Sequence, residues 1–305
     1  MTATLNVSVE FGIEPNTHAV GEIYCSDGTY ITPTLNWETG ECTAIDLGGK
    51  TPIGIVVVPG SHTPDGTARI MSLLECDLAN PSTPTTTHNT IYWGGSGNIG
   101  ITITGFPRLS GDYGPGYAGT KWSYNYMTTL NSTTGLYYGN SSYQLKSPYL
   151  SDGVNQDTSS MNSWEYSHGK SNTSSMINNA HADTNWRTGS ITNSKGSGYY
   201  PAACACYRYI TPGTNEGDWY FPTAGELVYV IYYIKLFQSI LIKLNELSSG
   251  SAVEIDTSGY YWSSSPSGYN YSYSINFTDG RVSSDLSKET NLRVRPFLAV
   301  GPEQV

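Results

Sequence analysis

Apolar positions along this chain fall into short runs at its two ends, and a long polar middle lacks any period. Residues 5–11 alternate: Leu5, Val7, Val9 and Phe11 fall on one side, and Asn6, Ser8 and Glu10 on the other. That period of two predicts a strand. Residues 20–31 hold two short strand-like runs about a Ser26-Asp27-Gly28 turn. Residues 53–58 (Ile-Gly-Ile-Val-Val-Val) form a continuous apolar run ended by Pro59-Gly60, the mark of a strand buried on both faces. Residues 68–74 form a second such run.

Between about 80 and 197 the sequence predicts packed loops and short helices. Trp93, Trp122, Trp164 and Trp186 lie there amid Gly, Ser, Thr and Asn, and a structureless loop of that length does not belong in a compact domain. Helices are expected over 174–182 and 201–209. The strongest helix signal follows. Thr223-Ala-Gly-Glu226 reads as a capping box, in which the Thr hydroxyl and the Glu carboxylate satisfy each other's backbone N–H groups. Leu227, Val230, Ile231, Ile234, Phe237, Leu241 and Leu244 then recur at helical spacing, predicting one helix that Gly250 stops. Short strands are expected over 260–263, 273–277 and 292–298, with Asp279-Gly280 as a hairpin turn. The class is α+β, with a β-rich last third.

Composition narrows the function. Of 305 residues only 13% are charged, about half the usual share, while Ser and Thr number 71 and Tyr 25. Aromatics at 12% and a net charge of −10 describe a folded chain with a polar, tyrosine-rich surface. Fifteen basic against 25 acidic residues argue against nucleic-acid binding and against docking on anionic lipid. Residues 227–247 are apolar enough to suggest a membrane span, but Lys235, Gln238 and Lys243 interrupt them, so a buried helix is expected. The first residues lack the basic and apolar regions of a secretory signal. The five cysteines, Cys25, Cys42, Cys76, Cys204 and Cys206, are odd in number and irregularly spaced, which predicts buried thiols and folding in a cytosol.

Several motifs carry no chemistry. Gly95-Ser-Gly-Asn-Ile-Gly100 matches a dinucleotide fingerprint but is followed by a strand-like Ile101-Thr-Ile-Thr104 instead of a helix. The five histidines, His18, His62, His88, His168 and His181, are scattered without metal spacing. No G-x-S-x-G elbow occurs, and no carboxylate pair is marked. The expectation is a protein that is not an enzyme and uses no cofactor.

One stretch is informative. Residues 257–291 hold ten Ser, five Tyr and three Asn, set between the apolar anchors Trp262, Ile275, Phe277, Val282 and Leu286. Tyr with small polar residues is the composition of binding loops: Tyr supplies contact area at low entropy cost, and Ser and Asn adapt their hydrogen bonds. Alternation puts Ile275 and Phe277 inward, so Ser274, Asn276 and Thr278 are expected outward. An ordinary polar sheet face explains the composition equally well.

The ordered segments Gly217-Asp-Trp-Tyr-Phe-Pro-Thr-Ala-Gly-Glu-Leu227, Tyr260-Tyr-Trp-Ser-Ser264, Ile275-Asn-Phe-Thr-Asp-Gly280 and Arg293-Val-Arg-Pro296 together resemble a known signature. It is similar to that of bacterial and phage proteins of the C-type-lectin-like fold, related to formylglycine-generating enzymes. More narrowly it resembles the variable proteins diversified by diversity-generating retroelements. Val20-Gly-Glu-Ile-Tyr-Cys-Ser-Asp-Gly28 and Gly49-Lys-Thr-Pro-Ile-Gly-Ile-Val56 look like the first strands of that fold. The resemblance covers most of residues 19–300 and is loose over 80–195.

The resemblance implies a C-type-lectin-like fold of short twisted antiparallel strands, about two helices and long ordered loops. Residues 1–18 would be an N-terminal strand or arm, and 19–305 the domain, with an insert at about 80–197 and a variable region at about 257–292. Carried over by position, the ligand-contacting residues would be Tyr269, Asn270, Tyr271, Ser274, Asn276, Thr278, Arg281, Ser283, Ser284, Asp285, Ser287 and Asn291. Trp262, Ile275, Phe277, Gly280, Val282, Val294 and Pro296 would be the scaffold. Tyr229, Tyr232 and Tyr233 would extend the binding surface or meet another subunit. The oxidase chemistry of formylglycine-generating enzymes needs a cysteine pair near the C-terminal half, but no cysteine follows Cys206, and Cys204 and Cys206 precede the capping-box helix, where they are not expected to reproduce that site. The implied role is a phage tail-tip or tail-fibre adhesin, assembled in the bacterial cytoplasm and carried on the virion. Its partners would be a host cell-surface protein or glycan, other tail subunits and further copies of itself. The alternative is a non-variable structural or bacterial surface protein of the same fold, whose tyrosine-rich face packs on a partner subunit.

Overall fold

The computed structural model describes residues 18–36, 39–60, 63, 65–82, 89–95, 129–130, 137–138, 169–248, 250–266, 270–278 and 282–301. The expected strand over 5–11, most of the 80–197 stretch and the Asp279-Gly280 turn lie outside them. The strands are β1 (Ile23–Cys25), β2 (Tyr30–Ile31), β3 (Thr34–Asn36), β4 (Glu41–Ala44), β5 (Pro52–Val58), β6 (Ala68–Ser72), β7 (Ile91–Tyr92), β8 (Thr129–Leu130) and β9 (Tyr137–Tyr138). Helices α1 (Gly169–Asn178) and α2 (Pro201–Arg208) follow, then β10 (Trp219–Tyr220), α3 (Ala224–Tyr232) and α4 (Ile234–Leu247). The chain closes with β11 (Tyr260–Pro266), β12 (Tyr271–Asn276), β13 (Val282–Ser287), β14 (Asn291–Leu292) and β15 (Phe297–Val300). This is an α+β protein.

A six-stranded antiparallel sheet has the order β10-β15-β6-β5-β1-β2. Its centre is the apolar run at 52–58, and the reason for continuous hydrophobicity is visible. Ile55 and Val57 enter a core shared with α3 and α4, while Ile53 and Val56 join Ile70, Tyr209, Trp219 and Leu298 on the other face. Gly54 lies in this strand because a Cβ there would stand 2.3 Å from Ile70 and 2.8 Å from the Met71 carbonyl oxygen. The β1–β2 turn follows from Ser26-Asp27-Gly28 as expected: Gly28 has φ +82°, and the Thr29 N–H donates to Asp27 Oδ1.

The capping box forms. Thr223 Oγ1 accepts from the Glu226 N–H at 3.3 Å, and the Thr223 N–H donates to Glu226 Oε2 at 2.7 Å. The single expected helix, however, is two. The axis turns by 81° between α3 and α4 at Tyr233. Because both pieces then lie on the core, Tyr229 is buried and Tyr233 packs between Tyr229 and Phe237, with ring centroids 5.5 and 6.1 Å apart. Neither forms the open surface expected of them, and the Tyr232 side chain lies outside the described residues. No single described helix is long and apolar enough to cross a membrane. Helix α1 begins at Gly169 and ends at Asn178, earlier than its expected span. The run expected as one strand over 292–298 is split into β14 and β15. Between them the Val294 and Pro296 carbonyls accept from the Cys76 and Ser72 N–H groups.

Buried charge ties the layers together. Arg69 on β6 meets Glu226 on α3 at 3.3 Å, and the Tyr220 hydroxyl donates to Glu226 at 2.6 Å. Arg295, 2% exposed, donates to the carbonyls of Ser72, Leu73, Val253 and Glu254 and faces the Glu75 carboxylate at 3.5 Å. The Tyr261 hydroxyl donates to the same Glu75 oxygen. Thus the Arg-Val-Arg-Pro segment, the end of β6 and β11 share one buried network.

Candidate functional site

The tyrosine- and serine-rich stretch folds as a three-stranded antiparallel sheet in the order β11-β12-β13, with β14 beside β7. Register divides its rows between two cores. Tyr261 and Ile275 oppose one another and enter the core around α3, together with Phe277. The next row is Trp262, Ser274 and Ser283, and Trp262 belongs to a second core with Trp93, Leu292, α1 and α2. The rows of Tyr261 with Ile275 and of Trp262 with Ser274 and Ser283 are therefore both covered.

This corrects two candidate contacts. Ser274 is fully buried and Ser283 is 4% exposed, so neither reaches the surface. Alternation did turn Ser274 away from Ile275, but that side is roofed by the tryptophan core, and serine fits because it is small. Many of the other serines are structural too. Ser272 Oγ donates to the Ser265 carbonyl, Ser263 Oγ to the Tyr273 carbonyl, and Ser265 Oγ accepts from the Ala224 N–H at the start of α3. The abundance of Ser thus has two origins, and only part of it is surface.

Among the described candidates, those that reach the surface lie at the strand ends. Asn270 and Tyr271 are exposed, Tyr271 by 46%, and Tyr271 pairs across the sheet with half-buried Ser287. Asn276 and Thr278 lie at the opposite end of β12, about 17 Å away at the rise of a strand. There the Asn276 carboxamide oxygen accepts from the Thr278 N–H at 2.8 Å, so it serves its own turn. Tyr269 and Arg281 lie outside the described residues, as do the side chains of Ser284 and Asp285 on β13. The candidates that are described therefore divide between two buried positions and the two ends of β12.

The end carrying Tyr271 is extended by residues the sequence did not mark. The Lys288 N–H donates to the Asn270 carbonyl at 2.9 Å, and the Lys288 carbonyl accepts from the Gly94 N–H. That brings the end of β7 alongside. Asn291, exposed, opposes Tyr92, and Asn193 bridges them: its Nδ2 donates to Asn291 Oδ1 at 3.0 Å and its Oδ1 accepts from the Tyr92 N–H at 2.9 Å. Lys195 and Glu289 face each other at 3.7 Å on the same rim. Beneath it, Lys288 is fully buried, with its ammonium 4.4 Å from the Trp93 ring centre. Burial pushes its pKa down to about 8. A rim of Tyr, Asn, Ser and one exposed ion pair over this rigid base suits contact by hydrogen bonding and aromatic stacking.

No family model matches the chain. No curated protein matches it either. Among solved structures, a fimbrial protein from Bacteroides ovatus ATCC 8483 is similar at a TM-score of 0.45 and 16% identity. The match covers 92% of this chain, which spans 48% of the length of that one.

No group of three His, Cys, Asp or Glu among the described residues could hold a metal ion. His181 is exposed and bonded to the Asn179 carbonyl, and His18 pairs with Glu22 at 2.6 Å while stacking on Tyr30. All five cysteines are buried.

Proposed function

We propose that this chain is a non-catalytic ligand-binding protein of adhesin type, with a C-type-lectin-like fold and a contact face diversified by a retroelement. The observation that carries the reading is the division of residues 257–291. Small polar residues are locked inside, while Asn270, Tyr271, Ser287 and Asn291 gather on one rim beside Tyr92 and Asn193. A rim built this way changes its side chains without disturbing the base that holds it. The partner is a host cell-surface protein or glycan. The site of action is a phage tail tip or fibre, with the bacterial cell surface as the alternative. Many copies on one particle raise a weak contact to useful avidity.

The test is binding of the purified protein to candidate host cells. Asn270→Ala, Tyr271→Ala and Asn291→Ala combined should abolish binding and leave the melting temperature nearly unchanged. Retained binding overturns the assignment of this rim. A stable oligomer that buries residues 270–291 favours the structural alternative.

A further inference from the structure

We infer that Cys76 and Cys206 are a disulfide site, joined when the chain folds in the presence of a disulfide oxidant and left as thiols when it folds without one. The two sulfurs lie 3.7 Å apart although the residues are 130 apart in sequence. Cys76 sits in the segment leaving β6, where its N–H is held by the Val294 carbonyl, and Cys206 lies on α2. Both belong to the tryptophan core and are at most 1% exposed. The sulfurs must approach by less than 2 Å to reach the ~2.05 Å of a disulfide, a shift within the range of side-chain torsion. Cys25 and Cys42 are placed differently: each thiol donates to a carbonyl two residues away on its own side of the chain.

The reaction is thiol–disulfide exchange with an external disulfide, RSSR. One cysteine thiolate attacks RSSR and releases RS⁻, forming a mixed disulfide. The second cysteine then displaces the remaining RS⁻. The two protein thiols give up two electrons and two protons, and RSSR leaves as two RSH. Burial fixes the timing. In the folded protein neither sulfur meets an oxidant, and burial together with the contact to Cys76 pushes the Cys206 thiol up, away from the reactive thiolate. The exchange therefore belongs to folding, and the state of this pair records the compartment in which the chain folded.

The experiment unfolds the full chain in urea with reductant and refolds it in two buffers, one with dithiothreitol and one with a mixture of oxidised and reduced glutathione. Thiols are then alkylated under denaturing conditions and mapped by mass spectrometry. The expected count is five thiols in the first and three in the second, with one bridged peptide pair containing Cys76 and Cys206. Cys76→Ser should keep all its remaining thiols in both buffers, whereas Cys42→Ser should still lose two in glutathione. Native protein exposed to glutathione without unfolding should keep all five. Five thiols after glutathione refolding, or a bridge between other cysteines, overturns the inference. The wild-type peptide map decides this even where a variant does not fold.

Discussion

Position 274 separates the buried framework from the display surface. Ser274 is fully buried in a row with Trp262 and Ser283, and its hydroxyl has no hydrogen-bond partner among the described residues. Two substitutions there should act in opposite directions. Ser274→Ala removes an unsatisfied hydroxyl and should be neutral or stabilising by up to about 1 kcal/mol. Ser274→Tyr forces a ring into a filled row and should cost about 3 kcal/mol, the upper part of the range for overpacking. At a urea slope of about 3 kcal/mol/M that loss lowers the midpoint by about 1 M. Tyr271→Ala, three residues away but 46% exposed, should cost about 0.5 kcal/mol and barely move the midpoint. Urea titration followed by tryptophan fluorescence reads all three. If Ser274→Tyr is as stable as wild type, the row is not closed and Ser274 returns to the candidate contacts.

Other consequences follow from the buried charges and the geometry of the rim. Burial raises Glu226 to about 7 from 4.5, so between those values the folded state holds a proton that the unfolded state releases. Its contribution to stability should therefore fall as pH rises from about 4.5 to about 7, by about 3 kcal/mol at most, and Glu226→Gln should flatten that slope in urea midpoints taken across the window. Arg295→Met leaves Glu75 buried without its guanidinium and should cost about 3–5 kcal/mol by urea titration, far more than any single rim substitution. Thr278→Ala, at the far end of β12, should leave cell binding unchanged where Tyr271→Ala weakens it, and equal losses would mean that the contact spans the whole sheet.

Much of the scaffold was legible because local signals agreed with tertiary ones. The run at 53–58 reads as a central strand and is one, since both of its faces are covered. Thr223 and Glu226 announce a helix start, and the structure adds why Glu226 is acidic in a core: it also answers Arg69. The break at Tyr233 was not legible, because apolar spacing continues through it and only the packing of both pieces reveals the turn. Ser274 and Ser283 misled for a related reason. Ser274, next to Ile275, reads as outward by alternation, Ser283 across from it came from the resemblance alone, and nothing local says that a tryptophan layer covers that side. Asn193 left no signal, since it lies in the polar, aperiodic stretch and reaches Asn291 98 positions away.

The most direct test of the account is bulk sequencing of codons 255–300 of this gene from a growing population. The account predicts substitutions at Asn270, Tyr271, Ser287 and Asn291, with Trp262, Ser272, Ser274, Phe277 and Ser283 unchanged. A uniform sequence would contradict diversification, and substitutions spread equally over the buried positions would contradict the division between framework and rim.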